Sequence, residues 1–391
     1  MIQENEQRGC HDDTAGPTRR DVLRLGGRVC LAAGTSHLIS GCTPPCTAPE
    51  PDPSPTDDSA SVAVVRGTNL ADMAREALAA FGGAAAIVSP GETVFIKPNF
   101  GAVGMVKYNP ITKGDSVKPE IVIAVAEECL KAGASMVTIG EGGQVGSWDW
   151  ATVPTFDGST TVAAEVQRLS EAYGDRIRLV CLNAETPEWI AVPSQSCLDS
   201  VEVSSLALRA DRVISLPVIK THRWTLTTGA IKNLFGITPL HHYSSAMVSN
   251  MRSALHDAGL HQVLVDINKA VGIDFAITDF SIGCEGNGPH VLPGWWGTSV
   301  NVRDRLGSWM LLASTDPVAL DATSTRVISL NAEDVGHVRL AYEQGLGQML
   351  EEKITLIGAT LDELRMPWQP PDLTEGFLEV VVPGIHLLMD A

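Results

Sequence analysis

The chain has 391 residues, 46 of them acidic and 28 basic, which gives a formal net charge of −18 at pH 7. Its hydrophobic content of 44% excludes a disordered protein, a coiled coil and a collagen-like fibre. The acidic surplus argues against nucleic acid as a partner, because proteins need basic side chains to displace counterions from phosphates.

The first 42 residues have the features of an export signal. Residues 18–24 read TRRDVLR, which is typical of a twin-arginine signal, and a weakly apolar stretch follows at 25–39. LISGC at 38–42 resembles a lipoprotein signal-peptidase site with Cys42 as the lipidated residue. An ordinary surface helix with adjacent arginines is the alternative. The order of the three features favours twin-arginine export and a protein anchored by lipid in the periplasm or cell envelope.

A proline-rich, acidic stretch follows Cys42 and is expected to form an extended spacer. The chain therefore divides into a signal peptide (1–42), a linker (43–60) and a folded domain (61–391). No apolar run approaches the roughly 18 residues that a membrane-spanning helix needs, so the lipid anchor is the only expected membrane contact.

The cysteines of the domain suggest no self-contained metal motif, because the chain has no C-x-x-C pair. Cys181 and Cys197 are the nearest pair in the domain. Outside the cytoplasm they could form a disulfide, and two buried free thiols are the equally favoured alternative.

Strand-like and helix-like patterns alternate along the domain. This alternation predicts an α/β fold with a mostly parallel, helix-flanked sheet, built as a single large domain or as two intimate α/β lobes. Strands are predicted at 61–67, 93–96, 135–140, 176–181, 211–216, 275–279 and 309–314. Helices are predicted at 69–81, 119–132, 160–173, 227–235, 245–270, 317–330 and 332–344.

The most polar junction follows the strand that ends at residue 216. Lys220 and His222 are expected in a turn before a helix that begins near residue 227, whose free N–H groups favour an anion. Thr228 and Lys232 are four residues apart and would share one helical face. The alternative treats Lys232 as a surface lysine. The clustering of polar groups favours an anion site in which opposite charges keep Lys232 protonated.

A second junction follows the strand at 275–279. Asp279, Glu285 and Asn287 carry oxygen atoms of the kind that hard cations bind, and the intervening glycines allow a sharp turn. Turn chemistry alone is the alternative explanation. Parallel topology brings such loops to one sheet edge, so this turn is expected to share a cleft with His222 and Lys232.

Two further segments supply candidates. Asp316 before Pro317 is typical of a helix N-cap, whereas Asp321 lies inside the helix among apolar residues and is the better functional candidate. Lys97 and Asn99 lie just beyond an early strand.

Four ordered motifs together resemble a known family. They are KTH at 220–222, T-x-x-x-K-N-x-x-G at 228–236, EGNGP at 285–289 and D-P-V-A-x-D at 316–321. Their combination resembles the iron–sulfur-associated family called domain of unknown function 362, over roughly 62–358. The resemblance implies functional polar residues at Lys97, Asn99, Lys220, His222, Thr228, Lys232, Asn233, Glu285, Asn287, Asp316 and Asp321. Many relatives append a ferredoxin-like module whose cysteines this chain lacks, so an intrinsic cluster is not expected.

A fainter likeness is to the nickel-dependent lactate racemase family, in which a strand ending in histidine also leads into a glycine-containing turn with a lysine. This likeness rests on a short match with approximate spacing.

Two hypotheses of function follow. The first is an exported, lipid-anchored enzyme that acts on a small anionic substrate with a bound metal or other cofactor: an oxidoreductase with a separate electron carrier, or a metal-assisted hydrolase, racemase or isomerase. The second is a non-catalytic lipoprotein that binds a ligand or cofactor. His222 is the expected general acid/base, because its ordinary pKa lies nearest neutral pH. The expected roles are catalysis for His222, Lys232 and Glu285, substrate binding for Lys97, Asn99, Lys220, Thr228, Asn233 and Asn287, and divalent metal binding for Asp279, Glu285 and Asp321.

Overall fold

A computed structural model describes residues 58–244, 251–294 and 296–373. These residues belong to one compact unit of the α/β class, as the alternating pattern predicts. In this part of the chain, eleven strands form a central sheet and two more form a small separate sheet.

The strands are β1 (Ala60–Gly67), β2 (Thr93–Pro98), β3 (Met136–Glu141), β4 (Ile177–Cys181), β5 (Trp189–Pro193), β6 (Ser200–Ser204), β7 (Arg212–Leu216), β8 (Val218–His222), β9 (Leu226–Thr228), β10 (Phe275–Gly286), β11 (Gly297–Asn301), β12 (Trp309–Ser314) and β13 (Ile354–Ile357). The helices are α1 (Leu70–Ala79), α2 (Pro110–Lys113), α3 (Pro119–Lys131), α4 (Val162–Tyr173), α5 (Leu182–Glu185), α6 (Ser205–Leu208), α7 (Ala230–Asn233), α8 (Leu240–Tyr243), α9 (Ser253–Asp257), α10 (Leu260–Val271), α11 (Val302–Leu306), α12 (Pro317–Val327), α13 (Gly336–Glu343) and α14 (Leu361–Leu364).

The central sheet runs in the order β13-β1-β12-β10-β7-β2-β3-β4, with β8, β9 and β11 attached through β10. The strands from β10 to β4 pair in parallel, whereas β12 is antiparallel to both of its neighbours. The prediction of a mostly parallel sheet is therefore confirmed, with antiparallel pairing at β12, between β10 and β11, and between β8 and β9.

Local sequence explains why the flanking helices form where they do. Asn69 caps α1 by accepting hydrogen bonds from the backbone N–H groups of Ala71 and Asp72. Leu70 and Met73 lie on the buried face of α1, which packs against α3 and the sheet. The inner strands β2, β3 and β7 are buried almost throughout, which explains their continuous apolar sequences.

The predicted helix near 227 is the main error in the fold prediction. Lys220 and His222 lie in β8, which folds back through a three-residue loop into β9, and the helix begins only at Ala230. Thr228 is therefore paired with Lys220 across two strands, and it does not share a helical face with Lys232. The β-branched threonines of this segment are compatible with the hairpin.

Two other boundaries also differ from the prediction. The strand that begins at Phe275 continues to Gly286, so Glu285 lies within β10 and pairs with Thr298. The predicted helix at 245–270 is interrupted at Gly259, which has a φ of +93° and separates α9 from α10. Residues 245–250 lie outside the described part of the chain.

The structure excludes a disulfide between Cys181 and Cys197, because Cys181 is a buried free thiol while Cys197 is disulfide-bonded. Among the described residues, no helix is long and apolar enough to cross a membrane. The predicted signal peptide, Cys42 and all but the last residues of the linker lie outside the described ranges.

Candidate functional site

A cavity of about 110 Å³ opens beside the carboxyl ends of β2 and β3 and along the β8–β9 hairpin. We call it the cleft. Its polar lining comprises Lys97, Asn99, Glu141, Gln144, Lys220, His222, Thr228, Lys232, Asn233, Arg252, His256 and His290. Its apolar lining includes Trp224, Phe235, Met251 and Trp296. The cleft thus brings together seven of the predicted residues, from Lys97 to Asn233, around a cationic interior.

One of the cations in the cleft is neutralised by the protein itself. Lys97 Nζ lies 2.8 Å from Glu141 Oε2, and both side chains are almost fully buried. The same carboxylate oxygen accepts a hydrogen bond from the Phe100 backbone N–H at 2.7 Å. A Cβ atom on Gly236 would lie 2.8 Å from Glu141 Oε1, so only glycine allows this close approach. The buried pair is therefore built into the wall of the cleft.

A second cation is held by neutral groups. Lys220 Nζ donates to Asn99 Oδ1 at 2.9 Å and to the Asp115 carbonyl oxygen at 2.7 Å. Asn99 in turn donates to Asn233 Oδ1, and Asn233 donates to the Lys97 carbonyl oxygen. Burial lowers the pKa of Lys220 to about 8. This network fixes the position of Lys220 without compensating its charge.

Lys232 has no hydrogen-bond or ion-pair partner within residues 58–244, 251–294 and 296–373, and it lines the cleft from α7. Burial, followed by repulsion from Lys220, lowers its pKa to about 7. The expectation that opposite charges keep Lys232 protonated is therefore wrong. A group that titrates near pH 7 can give or take a proton under ordinary conditions.

His222 has a pKa far below its ordinary value, chiefly because the ring is buried and secondly because Lys232 is close. It is therefore a neutral ring at pH 7, so its ordinary pKa no longer supports the general acid/base role, which stays a prediction. The Trp224 backbone N–H donates to His222 Nδ1 at 3.3 Å. Since Nδ1 accepts, the ring proton lies on Nε2, and His222 is a neutral hydrogen-bond donor in the lining of the cleft.

Arg252 and His256 complete the side of the cleft formed by the α9 segment, and sequence reasoning missed both. The Arg252 guanidinium donates to the carbonyl oxygens of Thr238 and Gly142. Burial lowers the pKa of Arg252 to about 10. His256 Nδ1 lies 3.0 Å from the Arg252 carbonyl oxygen, and burial lowers the pKa of His256 to about 4.

His290 lines the cleft from the turn after β10 and was also missed. Its Nδ1 lies 3.1 Å from Asp115 Oδ1, and both side chains are almost fully buried. Asp115 Oδ1 also accepts from the Val291 backbone N–H and the Tyr108 hydroxyl. Among the described residues, His290 Nε2 is buried without a hydrogen-bond partner, and so is Thr228 Oγ1.

Asp321 does not line the cleft but occupies the start of α7. Its carboxylate accepts hydrogen bonds from the backbone N–H groups of Ala230 at 2.6 Å and Ile231 at 3.0 Å. Burial raises the pKa of Asp321 to about 7, against the effect of these hydrogen bonds. A Cβ atom on Gly229 would collide with the same carboxylate. The anion that the sequence predicts at this helix start is thus a side chain of the protein.

The three predicted metal ligands are not brought together. Asp279 is fully buried with Lys118, at 3.4 Å from its Nζ, and Glu285 contacts Arg305 at 2.8 Å. Asp321 caps α7, as described above. The described residues contain no group of three or more histidine, cysteine or carboxylate side chains that could hold a metal ion. The predicted cation site is therefore not formed by these residues, because each carboxylate is committed to a different structural partner.

Glu285 and Asn287 also lie outside the cleft. Glu285 accepts a hydrogen bond from the Gln369 backbone N–H, and Asn287 Oδ1 accepts one from the Asp372 backbone N–H. Both residues hold the chain near residue 370 against β10. Asp316 is the predicted N-cap of α12, accepting from Val318 and Ala319.

The described cysteines do not fit an iron–sulfur cluster, just as the described carboxylates do not fit a cation. Cys129, Cys181 and Cys284 are buried free thiols on α3, β4 and β10. Burial raises the pKa of all three, which disfavours the thiolate form that binds iron.

The residues that sequence reasoning missed carried weak signals. Glu141 is the last residue of β3 and precedes Gly142 and Gly143, at the sheet edge where functional loops occur. A polar residue before two glycines could have indicated the site. Arg252 and His256 lie in a segment that resembles an ordinary amphipathic helix. Asp115 is 175 residues from His290, so only the fold brings them together.

Comparisons with known proteins agree with the four motifs. The family model described as domain of unknown function (DUF362) matches residues 94–326, a range that contains all four motifs. A thylakoid-associated protein from Synechocystis sp. is 27% identical over 297 residues, covering 73% of this chain and 78% of the relative.

Two solved structures are more distant. The lactate racemase apoprotein from Thermoanaerobacterium thermosaccharolyticum has a TM-score of 0.34 and 11% identity, covering 57% of this chain and 50% of its own. A Thermotoga maritima protein from a structural genomics consortium has a TM-score of 0.34 and 10% identity, covering 69% and 58%. The chain thus spans half to three-fifths of their lengths, and likenesses at this level carry no inference about function.

Proposed function

We propose that this chain, which belongs to the DUF362 family, is an acid–base enzyme that binds a small anion in the cleft. The observation that carries the proposal is the environment of Lys232. Its ammonium group lines the cleft with no partner among the described residues, beside three other cations and one carboxylate. A ligand with negative charge would supply the missing partner.

The balance of charge in the cleft supports an anion over a cation. Lys97 and Glu141 neutralise each other, which leaves Lys220, Lys232 and Arg252 without a carboxylate partner among the described residues. Burying several like charges is costly, and the lowered pKa values of Lys220 and Lys232 reflect this cost. An anion would favour the protonated form of both lysines and so bind with uptake of protons.

The proposed roles follow from the protonation states. Lys232, whose pKa is about 7, would carry the proton to or from the ligand. His222 would remain neutral and donate from Nε2, stabilising negative charge without needing to titrate. Lys220 and Arg252, fixed by their hydrogen bonds, would hold the ligand's charged group.

Sulfate titration by calorimetry tests the anion site. We expect sulfate to bind the wild-type protein below pH 7 and to bind progressively more weakly as pH rises through the pKa values of Lys232 (about 7) and Lys220 (about 8). Lys232→Met should weaken binding roughly tenfold or more. Lys269→Met, which removes an exposed lysine on α10, is the matched control and should leave binding unchanged.

Binding without turnover is the alternative, a lipoprotein that carries its ligand. Incubation with a panel of short-chain carboxylates in deuterium oxide distinguishes the two. Deuterium entering the carboxylate carbon skeleton in the wild-type protein, and lost in Lys232→Met, supports an acid–base enzyme. Retained sulfate binding without exchange of any carboxylate in the panel would favour the carrier.

We also propose that the protein is exported by the twin-arginine route and anchored through Cys42. The support is the order of the TRRDVLR segment, the apolar stretch and the LISGC site. Twin-arginine export carries folded proteins, which is compatible with a site assembled from residues as distant in sequence as Lys97 and His290.

A further inference from the structure

The Asp115–His290 pair is the part of the cleft that the proposed function does not use. Asp115 Oδ1 accepts from the Val291 backbone N–H and from the Tyr108 hydroxyl, each at 3.0–3.1 Å. Burial and the neighbouring carboxylate raise the pKa of Tyr108, so its hydroxyl keeps its proton. With two donors already directed at it, Oδ1 is an acceptor, and the third group in contact, His290 Nδ1, is the donor.

This arrangement fixes which ring nitrogen of His290 carries the lone pair whenever the ring holds a single proton. If Nδ1–H donates to Asp115, then Nε2 is an acceptor. His290 is 3% exposed, lines the cleft, and its Nε2 has no hydrogen-bond partner in the described part of the chain. A buried polar atom left unpaired is costly, so the site is complete only when a donor reaches it.

The cations of the cleft offer hydrogen-bond donors, whereas His290 Nε2 offers an acceptor. In their protonated forms, Lys220, Lys232 and Arg252 have only donors to offer a ligand, and Glu141 already accepts from Lys97 and the Phe100 backbone. A ligand that presents only acceptors would satisfy the cations. It would also leave His290 Nε2 facing a lone pair of the ligand instead of a donor.

We propose that the cleft selects small anions that carry an O–H or N–H donor beside their negative charge, and that His290 Nε2, oriented by Asp115, accepts that hydrogen bond. Asp115 is a positioning residue and His290 contacts the ligand. The inference rests on the proposed anion site and adds a rule of selection to it.

Sulfate and hydrogen phosphate test the rule directly, because the two dianions have nearly the same size and only hydrogen phosphate carries a proton to donate. Calorimetric titrations of the full-length protein at about pH 8, above the ordinary histidine pKa, keep free imidazole neutral. We expect hydrogen phosphate to bind roughly 5- to 150-fold more tightly than sulfate, the range given by one buried acceptor left unsatisfied.

Two substitutions of the same histidine provide the control. His290→Asn places an amide near the position of Nδ1, so it keeps a donor for Asp115 and removes the acceptor; the ratio of the two affinities should fall to about one. His290→Gln reaches the position of Nε2 with an amide oxygen and should restore much of the preference for hydrogen phosphate. His242→Asn, at a half-exposed histidine beside Glu202, should leave the ratio unchanged.

The outcomes separate the two proposals. Equal binding of both anions to the wild-type protein, or an unchanged ratio in His290→Asn, would overturn the selection rule and leave the anion site intact. Failure of both anions to bind at any pH would overturn the anion site itself. Tighter binding of sulfate would show that His290 Nε2 carries a proton and would reverse the assignment.

Discussion

Replacing Lys232 by methionine should make the protein more stable. The lysine side chain is partly buried beside the cleft, and its ammonium group has no partner among the described residues. Methionine fills a similar volume and carries no charge, so it removes the cost of burying the ammonium group. A binding group that costs stability in the empty protein is the expected consequence of a site shaped for a ligand.

The lowered pKa of Lys232 sets the size of the expected gain in the free energy of unfolding. A change from 10.5 to about 7 corresponds to about 5 kcal/mol of destabilisation of the charged form. Relaxation and water in the cleft reduce such penalties, so we expect Lys232→Met to raise the free energy of unfolding by about 1–3 kcal/mol at pH 7.

The direction in which this stability difference changes with pH follows from proton binding at Lys232. Between pH 7 and 10.5 the unfolded chain binds more protons at this lysine than the folded one, so the wild-type protein gains stability as pH rises. The advantage of Lys232→Met should therefore be fully present below about pH 7 and fall to roughly a third by about pH 9.5.

Urea denaturation at about pH 7 and about pH 9.5 measures these differences. It compares the wild-type protein, Lys232→Met and the exposed-site control Lys269→Met. Lys269→Met should match the wild-type protein throughout. A Lys232→Met protein that is less stable than the wild type, with a deficit that does not vary with pH, would refute the reasoning and show that Lys232 makes favourable contacts in the empty cleft.

Three further outcomes are expected. Changing Arg19 and Arg20 together to lysine should leave precursor in the cytoplasm, measured by fractionation, and normal delivery to the envelope would contradict the export signal. Cys42→Ala should release a soluble domain of unaltered stability, whereas a variant that resists detergent-free washing would show that the anchor lies elsewhere. Asp279→Asn should destabilise the fold by about 3–5 kcal/mol, because it leaves Lys118 buried without its charge partner; a change below 1 kcal/mol in urea denaturation would contradict that role.

The regular elements were predictable because their signals are local. Apolar runs mark β2 and β7, Asp316 before a proline marks the start of α12, and glycine marks the end of several helices. The hairpin of β8 and β9 could not be predicted in this way, because Thr225 to Thr228 suit a helix start as well as a strand. What decides between them is tertiary: Asp321, 91 residues away from Ala230, supplies the cap that sets the first turn of α7.

The candidate site likewise has a part that could be predicted from local sequence and a part that could not. Lys220, His222 and Lys232 lie within one short segment, so their clustering was visible in the sequence. Glu285 and Asp321 looked equally functional because polar residues in apolar surroundings are informative, yet such residues serve buried structural contacts as often as ligands. Sequence position alone cannot distinguish the two uses, since the partner that settles each case comes from another part of the chain.

The way each buried positive group is compensated indicates where a ligand's charge belongs. Lys97 has Glu141, Lys118 has Asp279, and the positive start of α7 has Asp321. Lys220 has only neutral oxygen atoms, and Lys232 has no partner in the described ranges. The partner thus changes from a carboxylate, to neutral oxygen atoms at Lys220, to none among the described residues at Lys232. Since a chain of net charge −18 has ample carboxylates to spare, the uncompensated position at Lys232 is best explained by a negative charge that arrives with the ligand.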